Sequence, residues 1–190
     1  MAETAPMPDE RVLDVSCGTG TLAVLLKLAC PRADVVGLDA DEAVLRHAVA
    51  KAARAGVQVA WCRGMADALP FGPGTFDKAV SSLFFHHLPP PTKRAVFARI
   101  HDLLVPGGLF LVDWGRPSGP FMRALFYTVQ LLDGFESTAD HARGRLPDLM
   151  REAGLVDIVE TFHWETPFGA RPNRRTVLDH AVAMSAGNTA

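Results

Sequence analysis

The residues best placed to do chemistry lie in VLDVSCGTG, positions 12–20, and at Asp39. In that stretch an apolar run carrying Asp14 feeds a turn built on Gly18 and Gly20. Glycine there lets the backbone approach a ligand closely, and a helix starting just after the turn offers unpaired N–H groups. Asp39 follows about twenty residues later, at the end of the next apolar run, where a carboxylate can accept from both hydroxyls of a ribose. A charge-assisted bond of that kind contributes about 1.5–3 kcal/mol.

Two ligand classes fit the glycines alone, because Gly18, Gly20 and Ala23 also satisfy the dinucleotide fingerprint. Asp14 separates them. A carboxylate just before the turn repels a pyrophosphate and suits a ligand that carries an ammonium and a sulfonium. S-adenosylmethionine has both groups; NAD lacks the ammonium, so a nicotinamide oxidoreductase is disfavoured. Cys17, inside the turn, reads as a small buried residue lending its backbone, since no base stands beside it to activate a thiol. Ser81, Ser82 and Leu83 end a later apolar run, where backbone carbonyls can receive the ammonium. His86 and His87 come next, and an unperturbed pKa of about 6.5 suits either to general-base work near neutrality. Histidines in this place can equally satisfy carbonyls or pack against a cofactor. No His, Cys and Asp set has zinc spacing, so no metal is expected.

These residues need a scaffold, and the hydrophobic pattern supplies one. Strands are expected at 11–16, 34–38, 57–61, 76–82 and 109–113. Helices are expected at 21–29, from the Asp41 cap to Ala55, and from the triple proline at 89–91 to about Leu104. Gly56 is the stop of the second helix, and Pro106, Gly107 and Gly108 read as the turn into the fifth strand. Strands alternating with helices imply right-handed crossovers and a doubly wound, mostly parallel α/β sheet covered on both faces. Ligands bind at the switch point of such sheets, beside the first strand.

Beyond Trp114 the rhythm changes. Residues 121–132 (FMRALFYTVQLL) read as a helix apolar on most sides, 146–153 as another, and 156–164 as a half-exposed strand. The apolar helix is a core element, a flap over an apolar acceptor, or a subunit contact that would make a homodimer. Trp114, ending the fifth strand on the ligand edge, walls an acceptor pocket or packs in the core, and on the flap reading Phe121 and Phe126 join that pocket. The tail from Ala170 contains ARPNRRTV, gives no clean strand, and leaves the last strand missing or altered.

Bulk properties set the outer bounds. With 190 residues the chain suits a single domain, 1–190, with its core at 11–165 and an atypical tail at 170–190. A net charge of -2 with no long basic run argues against nucleic acid as a partner. No apolar stretch approaches the roughly 18 residues that span a bilayer, and the N-terminus lacks a signal-peptide pattern. Three cysteines without C-x-x-C spacing suit a reducing compartment, and the expected location is cytoplasmic.

Five blocks in order carry a resemblance: VLDVSCGTG (12–20), GLDADEAVL (37–45), GMADALPFGPGTFDKAVSSLFFHHL (64–88), LLVPGGLFLVDW (103–114) and AGLVDIVE (153–160). Together they resemble the class I S-adenosylmethionine-dependent methyltransferases, in the small-molecule branch that includes the ubiquinone/menaquinone C-methyltransferases. The resemblance implies S-adenosylmethionine as cofactor and methyl transfer to a small organic acceptor, with an apolar one favoured. It places the methionine moiety on Asp14, Ser16, Cys17, Gly18, Thr19 and Gly20. The ribose falls to Asp39 with Ala40, and the adenine to Met65, Ala66 and Asp67. Two positions depart from the family pattern. Ser16 replaces a frequent glycine, which the turn accepts where φ is negative, and Met65 replaces a frequent acid, so it can pack against the adenine but not accept from it. The competing reading is a domain that binds the cofactor without turnover, or a truncated enzyme lacking its acceptor lid.

Overall fold

A computed structural model describes residues 5–114, 127, 130, 131, 134–165 and 180–187. Strands β1 (Arg11–Val15), β2 (Asp34–Asp39), β3 (Ala60–Arg63), β4 (Phe76–Ser82) and β5 (Leu104–Trp114) run parallel. With β6 (Val156–Glu165) and β7 (His180–Gly187) they form one seven-stranded sheet in the order β3-β2-β1-β4-β5-β7-β6. The chain winds outward from β1 to β3 and then returns to β4 on the other side of β1. The doubly wound, mostly parallel sheet expected from the pattern is therefore present, and its switch point lies between β1 and β4.

Local chemistry sets the helices. Gly20 caps α1 (Thr21–Ala29) at φ +72°, and Pro31 follows its end. Asp41 caps α2 (Glu42–Ala55) by accepting the Ala43 N–H at 2.7 Å, and Gly56 ends it in the left-handed region. Pro90 opens α3 (Pro90–Leu103), where a missing N–H costs nothing. Side chains on β1 alternate between two cores. Val12 packs with Ala23, Leu26 and Val80, while Leu13 and Val15 join Phe97, Ile100 and Leu111. The same alternation puts Asp14 on the Val12 side, beneath the start of α1.

The structure corrects three expectations. β3 begins three residues later than 57–61, because the Val57 N–H donates to Ala52 O at 3.1 Å and belongs to the α2 cap. β5 starts at Leu104 rather than Leu109. The Thr75 N–H donates to Leu103 O, and the ladder begins at Phe76 with Leu104. A register shift then absorbs the Pro106 and Gly107 pair, because proline has no N–H to give the ladder. The last strand is present: β7 lies beyond ARPNRRTV and runs antiparallel between β5 and β6. Its small residues (HAVAMSAG) hide the usual apolar alternation, whereas its backbone is laddered on both sides.

Helix α5 (Leu146–Glu152) matches its expected place. Helix α4 (Phe135–Arg143) has no counterpart in the sequence reading, for a physical reason. It buries Thr138, Asp140 and His141, so no apolar stripe marks it. Tyr127, Gln130 and Leu131 are helical; the rest of the expected helix at 121–132, with Phe121 and Phe126, lies outside the described residues.

Candidate active site

The glycine turn is held by backbone. The Cys17 N–H donates to Leu38 O and the Gly20 N–H to Cys17 O, both at 2.9 Å. Three residues of the turn are left-handed: Ser16 at φ +57°, Gly18 at +53° and Gly20 at +72°. The condition of a negative φ on which serine suits this position is not met, since the path into the turn needs a conformation that costs a side chain about 1–2 kcal/mol. The two glycines serve different ends. A Cβ at Gly20 would stand 2.5 Å from the Trp61 ring and 2.8 Å from Ala48 Cβ, so Gly20 permits close packing of α1 on its neighbours. A Cβ at Gly18 would meet nothing within 4 Å, so that position faces open space.

Two carboxylates brace this turn. Asp14 Oδ2 accepts the Ala23 N–H at 3.1 Å from the first turn of α1. Asp39 Oδ2 accepts the Gly18 N–H at 2.9 Å, and its Oδ1 accepts the Asp41 N–H at 3.0 Å. Burial pushes the Asp14 carboxyl up to about 7, against the Ala23 hydrogen bond and with help from the Asp39 charge. Burial, followed by the Asp14 and Asp39 charges, pushes the Cys17 thiol up as well, which leaves it inert as a nucleophile. A cation brought beside the Asp14 carboxyl would favour its ionised form.

Two adjoining spaces open at the carboxyl ends of the strands. One is a cavity of about 100 Å³ between Asp39, Ala40, the 64–67 segment, Leu88, and Thr92 and Val96 of α3. The other is a larger groove, open to solvent, with Asp14, Ser16, Cys17, Gly18 and Thr19 on one side and Ser82, Leu83, Phe84 and His87 on the other. Ser16 and Phe84 line both. Met65, 57% exposed, and Asp67 and Ala66 beside it line the cavity.

The expected site residues thus divide into those the fold gathers and those it does not. Asp14, Ser16, Cys17, Gly18, Thr19, Ser82, Leu83 and His87 meet at the groove; Asp39, Ala40, Met65, Ala66 and Asp67 meet at the cavity. Gly20 sits beneath Trp61, and Ser81 Oγ donates to Val15 O at 3.0 Å between the strands, so neither lines a space. His86 turns inward, its Nδ1 2.7 Å from Asp113 Oδ1. Trp114 belongs to β5 by its backbone; its side chain, like Phe121 and Phe126, lies outside the described residues.

Sequence reading missed Phe84, which with Ser16 lines both spaces, and the roles of the buried ionisable groups behind it, Lys93, Asp113, Asp140 and His141. One of these left a signal. Lys93 stands on the inward stripe of α3 with Val96, Phe97, Ile100 and Leu103, where a cation needs a buried partner.

Comparison with known proteins places this geometry. Residues 12–108 match the family model described as a methyltransferase domain. Over 112 residues the chain is 39% identical to an uncharacterized methyltransferase of Synechocystis sp., a stretch covering 58% of this chain and 50% of that protein. Over 110 residues it is 36% identical to the demethylmenaquinone methyltransferase of Thermus thermophilus, covering 58% of this chain and 48% of that one. The fold matches a solved SAM-dependent methyltransferase of Methanosarcina mazei with a TM-score of 0.73 at 19% identity, covering 98% of this chain and 96% of that chain. The chain belongs to the methyltransferase domain family, and its fold is shared with a solved SAM-dependent methyltransferase. It spans about half the length of the two sequence relatives named here.

Proposed function

We propose that the chain is a cytoplasmic methyltransferase that uses S-adenosylmethionine to methylate a small, apolar organic acceptor such as a quinone. The observation that carries this reading is the pair of carboxylates on the glycine turn, with a cavity on one side of Ser16 and a groove on the other. The fit rests on two features of the site. Gly18 faces open space, and the Asp14 carboxyl, raised to about 7, gains from a neighbouring cation. Asp14 and the turn hold the ammonium end, with carbonyls at Ser82 and Leu83 as further acceptors. Asp39 and Ala40 take the ribose, and Met65, Ala66 and Asp67 take the adenine.

When bound, S-adenosylmethionine supplies a sulfonium methyl open to in-line attack by an acceptor oxygen, nitrogen or carbon, with a neutral thioether departing. A neutral leaving group asks the chain for no anion stabiliser. Its residues instead hold two molecules in line, and alignment of that kind contributes up to about 7–11 kcal/mol. Of the two histidines, His87 faces the groove and is the one placed to take a proton from the acceptor. Leu22, Leu25 and Phe84 give the groove apolar walls. That lining, with the demethylmenaquinone methyltransferase among the relatives, favours a quinone-like acceptor. The cytoplasmic assignment is supported by the three free cysteines, and no helix among the described residues is long and apolar enough to cross a membrane.

Calorimetry with S-adenosylmethionine, S-adenosylhomocysteine and NADH tests the reading. Both sulfur nucleosides bind and NADH does not, and Asp14→Ala and Asp39→Ala each lower affinity by roughly tenfold or more. Methyl release during a screen of demethylated quinones then distinguishes turnover from binding alone. A native chain with no affinity for either sulfur nucleoside would sink the proposal.

A further inference from the structure

Behind the 83–87 turn lies a buried polar cluster that the proposed chemistry does not use. Its five groups come from four elements: His86 in the short helix Phe85–His87, Lys93 on α3, Asp113 on β5, and Asp140 and His141 on α4. The groups form a chain. Lys93 Nζ stands 3.7 Å from Asp140 Oδ2 and 3.3 Å from His141 Nδ1. His141 Nε2 stands 3.6 Å from Asp113 Oδ1, which His86 Nδ1 meets at 2.7 Å. The other Asp113 oxygen accepts the Phe85 N–H at 2.7 Å.

Protonation within the chain follows from who faces whom. Burial holds the His141 imidazole down at about 4, so it is neutral near pH 7. Its Nδ1 stands 3.3 Å from Lys93 Nζ, and its Nε2 has no hydrogen-bond partner among the described residues. A carboxylate only accepts, so the His86 proton facing Asp113 sits on Nδ1. Lys93 stands against His141, whose Nε2 lies 3.6 Å from Asp113, beyond hydrogen-bond reach, and Asp113 itself grips the turn.

That turn needs holding. Leu83 lies in the left-handed region at φ +55°, and strain of this kind persists only where its surroundings over-determine it. Phe84 lines both the cavity and the groove, and His87 lines the groove. The His86 and His87 ring centroids are 3.9 Å apart, so a rotation of one displaces the other.

We propose that Asp113 is a positioning residue: its buried carboxylate clamps the 83–87 turn through the Phe85 N–H and the His86 imidazole, and so fixes Phe84 and His87 where the two spaces meet. The inference rests on the reading of the groove as the methyl-donor site. It assigns Asp113 and its chain of supports a role in aiming the groove, distinct from filling the core.

The test pairs nitrogen NMR of the imidazoles in the ligand-free protein with calorimetry using S-adenosylhomocysteine as probe. The wild type shows the His86 proton on Nδ1. Asp113→Asn removes the charged acceptor at nearly constant volume, and the His87 titration midpoint moves by about half a unit or more, while affinity falls roughly tenfold. His86→Ala does the same. His86→Asn, which keeps a donor facing Asp113, restores both readings to within about twofold of wild type.

A cluster that only filled the core would lower stability in D113N and H86A while leaving the affinity as in wild type and, in H86A, where the Asp113 charge is kept, the His87 titration too, and that result overturns the proposal. Should D113N fail to fold, the contrast between H86A and H86N decides alone: equal His87 titrations in the two variants overturn the clamp, and different ones support it. A wild type that binds no S-adenosylhomocysteine refutes the functional reading, whereas the His87 titration in ligand-free variants still judges the clamp by itself.

Discussion

The glycine turn and the cluster behind 83–87 stand on opposite sides of one groove and are built by opposite means. The turn is a backbone device: three left-handed residues, N–H groups turned to two carboxylates, and glycines where a Cβ would collide or a ligand needs room. The cluster is a side-chain device, five buried polar groups with hardly a special backbone angle among them. A backbone device needs particular residue types at fixed spacing and leaves a motif. A side-chain device needs only that distant residues converge, and leaves almost none.

The largest effect expected comes from the cluster. Lys93→Met strips the cation from two buried carboxylates and destabilises the protein by about 3–5 kcal/mol at neutral pH, measured by urea unfolding. The loss shrinks in acid, where the carboxyls protonate. Were the turn the costlier side to disturb, the next substitution would exceed it. Gly20→Ala forces a Cβ onto Trp61 and Ala48 at φ +72° and costs about 3 kcal/mol. Gly18→Ala, with space around it, carries only the conformational cost of about 1–2 kcal/mol.

A gain in stability is expected at Asp14. Burial raises its folded carboxyl to about 7 from an ordinary 3.8, so the native state holds the proton more tightly across that window. The stability linked to Asp14 is complete below the lower value and is lost as pH rises through the upper one. Asp14→Asn avoids the buried charge. It stabilises the cofactor-free protein by about 2 kcal/mol above pH 7 and by nothing near pH 3, and it weakens S-adenosylmethionine binding. Unfolding curves at the two pH values, with calorimetry beside them, check both halves. The smallest effect is at Ser16, where glycine relieves the left-handed φ for a net gain of about 0.5–1 kcal/mol.

Legibility in the sequence follows the same division. Asp41 and Gly56 bracket α2 as the helix signals require, and β4 runs from Phe76 to Ser82 as its apolar run implies. Asp14, Gly18 and Asp39 converge as their spacing suggested. Elsewhere the physics left weaker traces. Nothing in FESTADHAR announces a helix whose buried residues are Thr138, Asp140 and His141. His86 and His87 are equal as letters, and only the inward turn toward Asp113 tells them apart. Ser16 looked tolerable because residue type alone does not reveal the sign of φ.

The placement of β7 bears on the order in which the chain can assemble. β5 and β6 share no ladder; each pairs with β7, which is made after both. During synthesis the first five strands can close around their cores while the outer edge of β5 presents a row of unmet N–H and C=O groups. β6 meanwhile waits without a neighbour. Arrival of the last strand zips both ladders at once, so a ribosome that stalls before His180 releases a molecule with an adhesive flank, and such species are the ones chaperones must shield.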